Sequence, residues 1–114
     1  MKRYPGLTLR VLGKRTPAMG PGKAELVERI ASTGSISAAA RAMGMSYRRA
    51  WQLVESLNRA YREPLVATAI GGKRGGGARV TPFGRRVVAA FRAMEGKASR
   101  AIAGDLKRFK RYIP

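Results

Sequence analysis

Residues 35–61 read SISAAARAMGMSYRRAWQLVESLNRAY, and their spacing decides the fold. Ser35 suits the cap of a short helix, Gly44 interrupts that helix, and Ser46 suits the cap of a second one. The two are read as helices over 35–44 and 46–61. Only Gly44, Met45 and Ser46 separate them, the length of a helix-turn-helix turn, which is often built around glycine. Ala38, Ala39 and Ala40 let two helices approach closely, while Met43, Met45, Ala50, Leu53, Val54 and Leu57 recur at spacings that bury one side. With Ala50 and Leu53 facing inward, the exposed start of the second helix carries Tyr47, Arg48, Arg49 and Gln52. Arginine pairs with guanine edges and glutamine with adenine, the chemistry of a major-groove reader. The competing reading is a solvated basic face, but such a face usually mixes glutamate with arginine. Trp51 either packs beneath the helix or offers its indole N–H to a backbone.

Upstream, residues 1–6 form a basic arm and residues 7–12 alternate as a short strand does. Residues 13–23, GKRTPAMGPGK, read as a loop. A helix over 21–33 follows, with Pro21 in its first turn, an apolar stripe of Leu26, Val27 and Ile30, and Gly34 at its end. Glu25 and Glu28 are read as acids complementing that helix N-terminus rather than as a carboxylate dyad.

Downstream, Pro64 marks a break, and two strands flank GGKRGGG at residues 71–77, which predicts a hairpin over 65–81. The glycine-rich stretch does not fit a phosphate loop, because Gly77 and Ala78 stand where Lys and Ser or Thr are required. Thr81 and Pro82 make a better cap and first turn, so no helix N-terminus is available at Gly77. The stretch is read as a hairpin tip presenting Lys73 and Arg74, with Arg79 nearby, to a phosphate backbone; a tip without function is the alternative. From residue 82 to 114, Val87, Phe91, Met94, Ala98, Ile102, Leu106, Phe109 and Ile113 keep an apolar stripe for about eight helical turns. Such a helix outreaches a small domain, and a second copy is its simplest partner, through Val87, Phe91, Met94, Ala98 and Ile102. A break near Gly104 followed by the cationic tail LKRFKRYIP is the alternative for this segment.

Lys and Arg number 24 against 6 Asp and Glu, a formal charge of +18 that attracts polyanions, nucleic acid above all. A basic amphipathic helix also suits a membrane surface, but no apolar run approaches the roughly 18 residues of a spanning helix. The basic N-terminus lacks the apolar region of a signal peptide, so a cytoplasmic, nucleoid-associated protein is expected. Histidine and cysteine are absent, which removes the usual nucleophilic triads and the imidazole and thiolate zinc sites. No catalytic residue, metal or cofactor is therefore expected, and the chain is read as not an enzyme. At 114 residues it is expected to form one domain.

The stretches GSISAAARAMGMSYRRAW at 34–51, the glycine-rich hairpin and TPFGRR at 81–86 are similar to the N-terminal DNA-binding domain of the ModE family of molybdate-responsive transcription regulators. That domain is a LysR-like winged helix-turn-helix, and the resemblance covers about residues 7 to 95. It implies that the helix after Ser46 enters the major groove, that residues 71–77 touch flanking backbone, and that the strand near Leu7 and the last helix support a homodimer. Family members that sense molybdate do so on separate C-terminal domains, so molybdate binding is not expected in this chain, which resembles a single-domain form.

The sequence thus predicts a mainly α fold with a small β-sheet: a winged helix-turn-helix over 7–81 and a C-terminal dimerisation helix with a basic tail over 82–114. The function expected is sequence-specific recognition of double-stranded DNA by a homodimeric transcriptional regulator. Ser46, Tyr47, Arg48, Arg49, Gln52, Lys73, Arg74 and Arg79 are the expected DNA contacts. The rival is an architectural protein that binds DNA by charge and shape alone.

Overall fold

Serine and threonine oxygens begin three of the helices. In the computed structural model, which describes residues 6–15, 17–68 and 77–114, Ser35 Oγ accepts the Ala38 N–H at 3.0 Å and opens α2, Ile36–Ala42. Ser46 Oγ accepts the Arg49 N–H at 3.0 Å and opens α3, Tyr47–Ala60. Thr81 Oγ1 accepts the Gly84 N–H at 2.9 Å and opens α4, Pro82–Ala101. The helix before them, α1 at Pro21–Thr33, has Gly20 as its cap residue and no side chain bonded to its free N–H groups. It ends at Gly34, whose φ of 70° lies in the left-handed region that glycine enters without a Cβ penalty.

Helices α1, α2 and α3 close around a core in which Leu26, Ile30, Ala39, Ala50 and Leu57 have no exposed surface. Ala39 and Ala50 bring α2 and α3 together, as the alanine run predicted. Gly44, at φ 68°, carries the turn between them, and the Met45 N–H reaches back to Ala40 O at 3.0 Å. Trp51 is half-buried against the core, in agreement with its packing role, and meets Tyr47 edge-on at 6.2 Å.

Two antiparallel ladders complete the fold, both of them two-stranded. Strands β3 (Val66–Thr68) and β4 (Ala78–Val80) pair Val66 with Val80, Ala67 with Arg79 and Thr68 with Ala78. Buried Val66 and Val80 face the core, and Asn58 of α3 fixes β3 through its side chain. Its Nδ2 donates to Val66 O at 2.9 Å, while Oδ1 accepts the N–H groups of Leu65 and Val66 at 2.9 and 3.1 Å.

The N-terminal region differs from its sequence reading. Only β1, Val11–Leu12, is hydrogen-bonded strand, and its partner β2, Pro17–Met19, lies within the predicted loop. Pro17 tolerates the strand start, where its missing N–H costs little, and buried Ala18 and Met19 draw the segment onto the core. Leu9 and Val11 do point to the core, as their alternation indicated.

Three further expectations change. Glu25 and Glu28 lie beyond the first turn of α1 and pair with arginines instead. Glu25 meets Arg29 at 2.8 Å, and Glu28 accepts from Nη2 and Nε of Arg92 at 2.7 and 2.9 Å while Nη1 donates to Glu95, so that α4 is clamped onto α1. The eight-turn helix is interrupted: Ile102, at φ −108° and ψ 10°, separates α4 from α5, Ala103–Phe109, and a short 3₁₀ turn over Lys110–Tyr112 follows. No residue of α5 is fully buried, so little packing offsets the roughly 1 kcal/mol that Gly104 costs a helix. Phe91, expected in a dimer interface, is 1% exposed within the single chain and belongs to its core.

Candidate nucleic-acid interface

A helix repeats about every 3.6 residues, so Ala50, Val54 and Leu57, all buried, fix which side of α3 faces the core. Arg48, Gln52 and Arg59 fall on the opposite side and are exposed. Arg49 is exposed on one flank and Tyr47, 54% exposed, on the other, where its ring leans on Trp51. The candidates therefore form a band around the first two turns of α3, with Arg48 and Gln52 at its centre. No ion pair among the described residues engages Arg48 or Arg49, so both guanidinium forks are available. Ser46 is exposed at the head of α3; its oxygen caps the Arg49 N–H while its O–H can still donate outward, as a phosphate contact requires.

On the β3–β4 hairpin, Arg79 is exposed beside the ladder. Lys73 and Arg74 lie outside the described residues. The hairpin is held at both ends of β4, by the Ala78 N–H on Gly34 O at 3.1 Å and by the Thr81 N–H on Leu65 O at 2.9 Å. Arg79 is thus carried on a framework tied to both the α1–α2 junction and, through Asn58, to α3.

Sequence reading overlooked two residues beside this band. Arg10 and Lys23 face Arg49 across a cleft of about 460 Å³ at the start of α1. The Lys23 ammonium donates to Pro17 O at 2.7 Å. Burial, and then the charges of Arg10 and Arg49, push its pKa below the usual lysine range. One signal was legible: with a helix starting at Pro21, Lys23 sits in a first turn, where a cation opposes the helix dipole. Among the described residues, no group of three or more His, Cys, Asp or Glu could hold a metal ion, and no helix is long and apolar enough to cross a membrane.

Comparison with known proteins agrees with this fold. Residues 22–85 fit the family described as "Bacterial regulatory helix-turn-helix protein, lysR family". Among similar proteins, the molybdenum-pterin-binding protein MopB of Rhodobacter capsulatus is 42% identical over 98 residues, covering 86% of this chain and 35% of that protein. The molybdenum transport protein ModE of Azotobacter vinelandii is 35% identical over 107 residues, 84% of this chain and 40% of that one. The DNA-binding transcriptional dual regulator ModE of Escherichia coli is 41% identical over 68 residues, 60% of this chain and 26% of that one. The chain thus spans between about a quarter and two fifths of the length of these relatives. Two solved structures share the fold at 25% identity. Full-length LysG from Corynebacterium glutamicum with bound effector arginine has a TM-score of 0.56 over 82% of this chain and 30% of that one. ArgP from Mycobacterium tuberculosis has 0.51 over 75% and 31%. The helix pair, the hairpin and the start of α4 all lie within the matched residues, and the chain belongs to the bacterial regulatory helix-turn-helix proteins of the lysR family.

Proposed function

We propose that this chain binds duplex DNA sequence-specifically as a homodimer and so regulates transcription, in the cytoplasm and without catalysing a reaction. The observation that carries the proposal is the unpaired, exposed set Arg48, Arg49 and Gln52 on a helix held by a four-residue turn, Met43 to Ser46. In it, α3 enters the major groove, Arg48 and Gln52 meet base edges, and Arg49, Tyr47 and Ser46 meet the edge of the groove or its phosphates. Arg79, with Lys73 and Arg74 farther along the hairpin, contacts the neighbouring backbone. Support for transcriptional regulation comes from relatives named as regulators.

For the dimer, Met94 is 43% exposed and Ala98 half-buried along the part of α4 that leaves the core, and half-buried Ile102 follows at its end. Val87 adds a half-buried edge, and Phe91 supports the face from beneath. A two-fold pair through this face presents two reading helices to two half-sites.

The division of labour is open to direct test. Arg48→Ala is expected to relax preference at one base pair by about 1 to 3 kcal/mol, whereas Lys73→Ala weakens every sequence alike. Titration of both variants against a panel of duplexes differing at single positions reads the difference. Equal, sequence-independent losses for the two would remove Arg48 from base recognition.

A further inference from the structure

An α-helix with its side chains is about 10 to 12 Å across and the major groove about 12 Å wide, so each flank of an inserted helix faces a phosphate strand. The two flanks of α3 carry different structures. Asn58 holds the β3–β4 hairpin on one. Ser56 and Ala60, two residues to either side and therefore about 200° around the helix, face the other. There the β1–β2 hairpin stands: Gly13, Lys14 and Arg15 line a cleft of about 640 Å³ with Ser56, Arg59 and Ala60. The cleft containing Arg10, Lys23 and Arg49 adjoins it, since Ser56 lines both.

Among the described residues, six cations line the two clefts and no Asp or Glu does, although the chain holds 6 acids. The ion pairs among the described residues lie elsewhere, on Glu25, Glu28, Glu95 and Asp105. The hairpin is also fixed in place. The Tyr61 hydroxyl donates to Ala18 O at 2.9 Å and the Lys23 ammonium to Pro17 O at 2.7 Å, which binds β2 to the end of α3 and to α1. Arg10 lies over Gly20, at the uncapped start of α1. Unlike a solvated charged face, a concave cationic track without internal counter-ions, on a braced support, is suited to a polyanion.

We propose that the β1–β2 hairpin is a second backbone grip, in which Lys14 and Arg15, continued by Arg59 and by the Arg10–Lys23–Arg49 cleft, seat the phosphates of the DNA strand opposite the one met by the β3–β4 hairpin. The proposal rests on α3 entering the major groove. It gives the domain two hairpins that straddle the reading helix, and so a footprint wider than one wing provides.

Lys14→Ala/Arg15→Ala tests it against Lys97→Ala/Lys107→Ala, which removes the same charge from exposed positions outside both clefts. Duplex affinity is measured from about 0.05 to 0.2 M salt, on a preferred and an unrelated sequence. The hairpin variant is expected to bind both sequences about tenfold or more weaker and to show a log–log salt slope shallower by about 1 to 2, because each phosphate contact contributes about 0.9. Lys14→Glu/Arg15→Glu loses more, and circular dichroism shows both variants folded. A hairpin variant no weaker than the control pair overturns the second grip while leaving base recognition by Arg48 intact. Failure of the unmodified protein to bind any duplex overturns the proposed function itself, and the grip with it.

Discussion

Asn58 shows how one side chain can join two elements. Its amide satisfies three backbone groups of the β3 region, so Asn58→Ala both breaks those bonds and leaves partly buried N–H groups unpaired. A loss of about 2 to 3 kcal/mol in urea unfolding is expected; a loss below about 0.5 would show that β3 docks without it. Gly84 is constrained by space: a Cβ there would lie 2.3 Å from Leu65 O, a backbone atom that cannot swing away. Gly84→Ala is expected to cost about 3 kcal/mol or more, since α4 and the β3–β4 hairpin must part to admit the methyl group. Tyr61 provides a pH test. Burial raises the pKa of its phenol, so the folded state holds the proton more tightly than the unfolded state. Its contribution is complete below the unfolded value near 10 and is lost as pH rises through the higher folded one. Tyr61→Phe should cost about 1 kcal/mol at pH 7 through the lost bond to Ala18 O, and progressively less above about pH 10. A cost that is flat from pH 7 to 11 would contradict this. The capping residues Ser35, Ser46 and Thr81 were legible in the sequence because a cap acts within three residues. The roles of Asn58, Gly84 and Tyr61 were not, because their partners lie 8, 19 and 43 positions away.

Among the elements, the ones encoded by short-range periodicity matched their reading closely. Helix α1 spans the predicted 21–33, and α2 and α3 begin one residue after their caps. The β1–β2 pairing was hidden by proline and glycine, which signal a loop locally but here flank a strand stabilised by burial of Met19. The C-terminal stripe misled in the opposite direction. Spacing by three or four residues persists through Ile102, yet the backbone turns there, because periodicity specifies a face and not a packing partner for it. Replacing Gly104, where a Cβ meets only ordinary contacts with Arg108, should strengthen α5. Gly104→Ala is expected to slow amide exchange over residues 103–109 in line with a gain of about 1 kcal/mol. Unchanged exchange would mean that the segment is governed by contacts outside the single chain.

For the whole molecule, the decisive quantities are a charge of +18 and an apolar face that leaves the core along α4. The first follows directly from composition and favours polyanions as partners. The second had to be divided by the fold, which took Phe91 into the core and left Met94 exposed. If that face joins two copies, Met94→Lys/Ile102→Lys will sediment as a monomer at concentrations where the unmodified chain is a dimer, with its helix content retained. Identical sedimentation of the two proteins would place the interface elsewhere. Such a pair would align two α3 helices on one duplex, so dimerisation and base recognition together predict the form of the binding site. Selection of the purified protein on a random duplex pool at about 0.2 M salt, where weak phosphate-driven binding is suppressed, is the most direct test. Enrichment of an inverted repeat with half-sites about one helical turn, or a multiple of it, apart is the predicted result. Retention of DNA without any enriched sequence would contradict recognition by Arg48 and Gln52 and leave a protein that binds DNA by charge and shape alone.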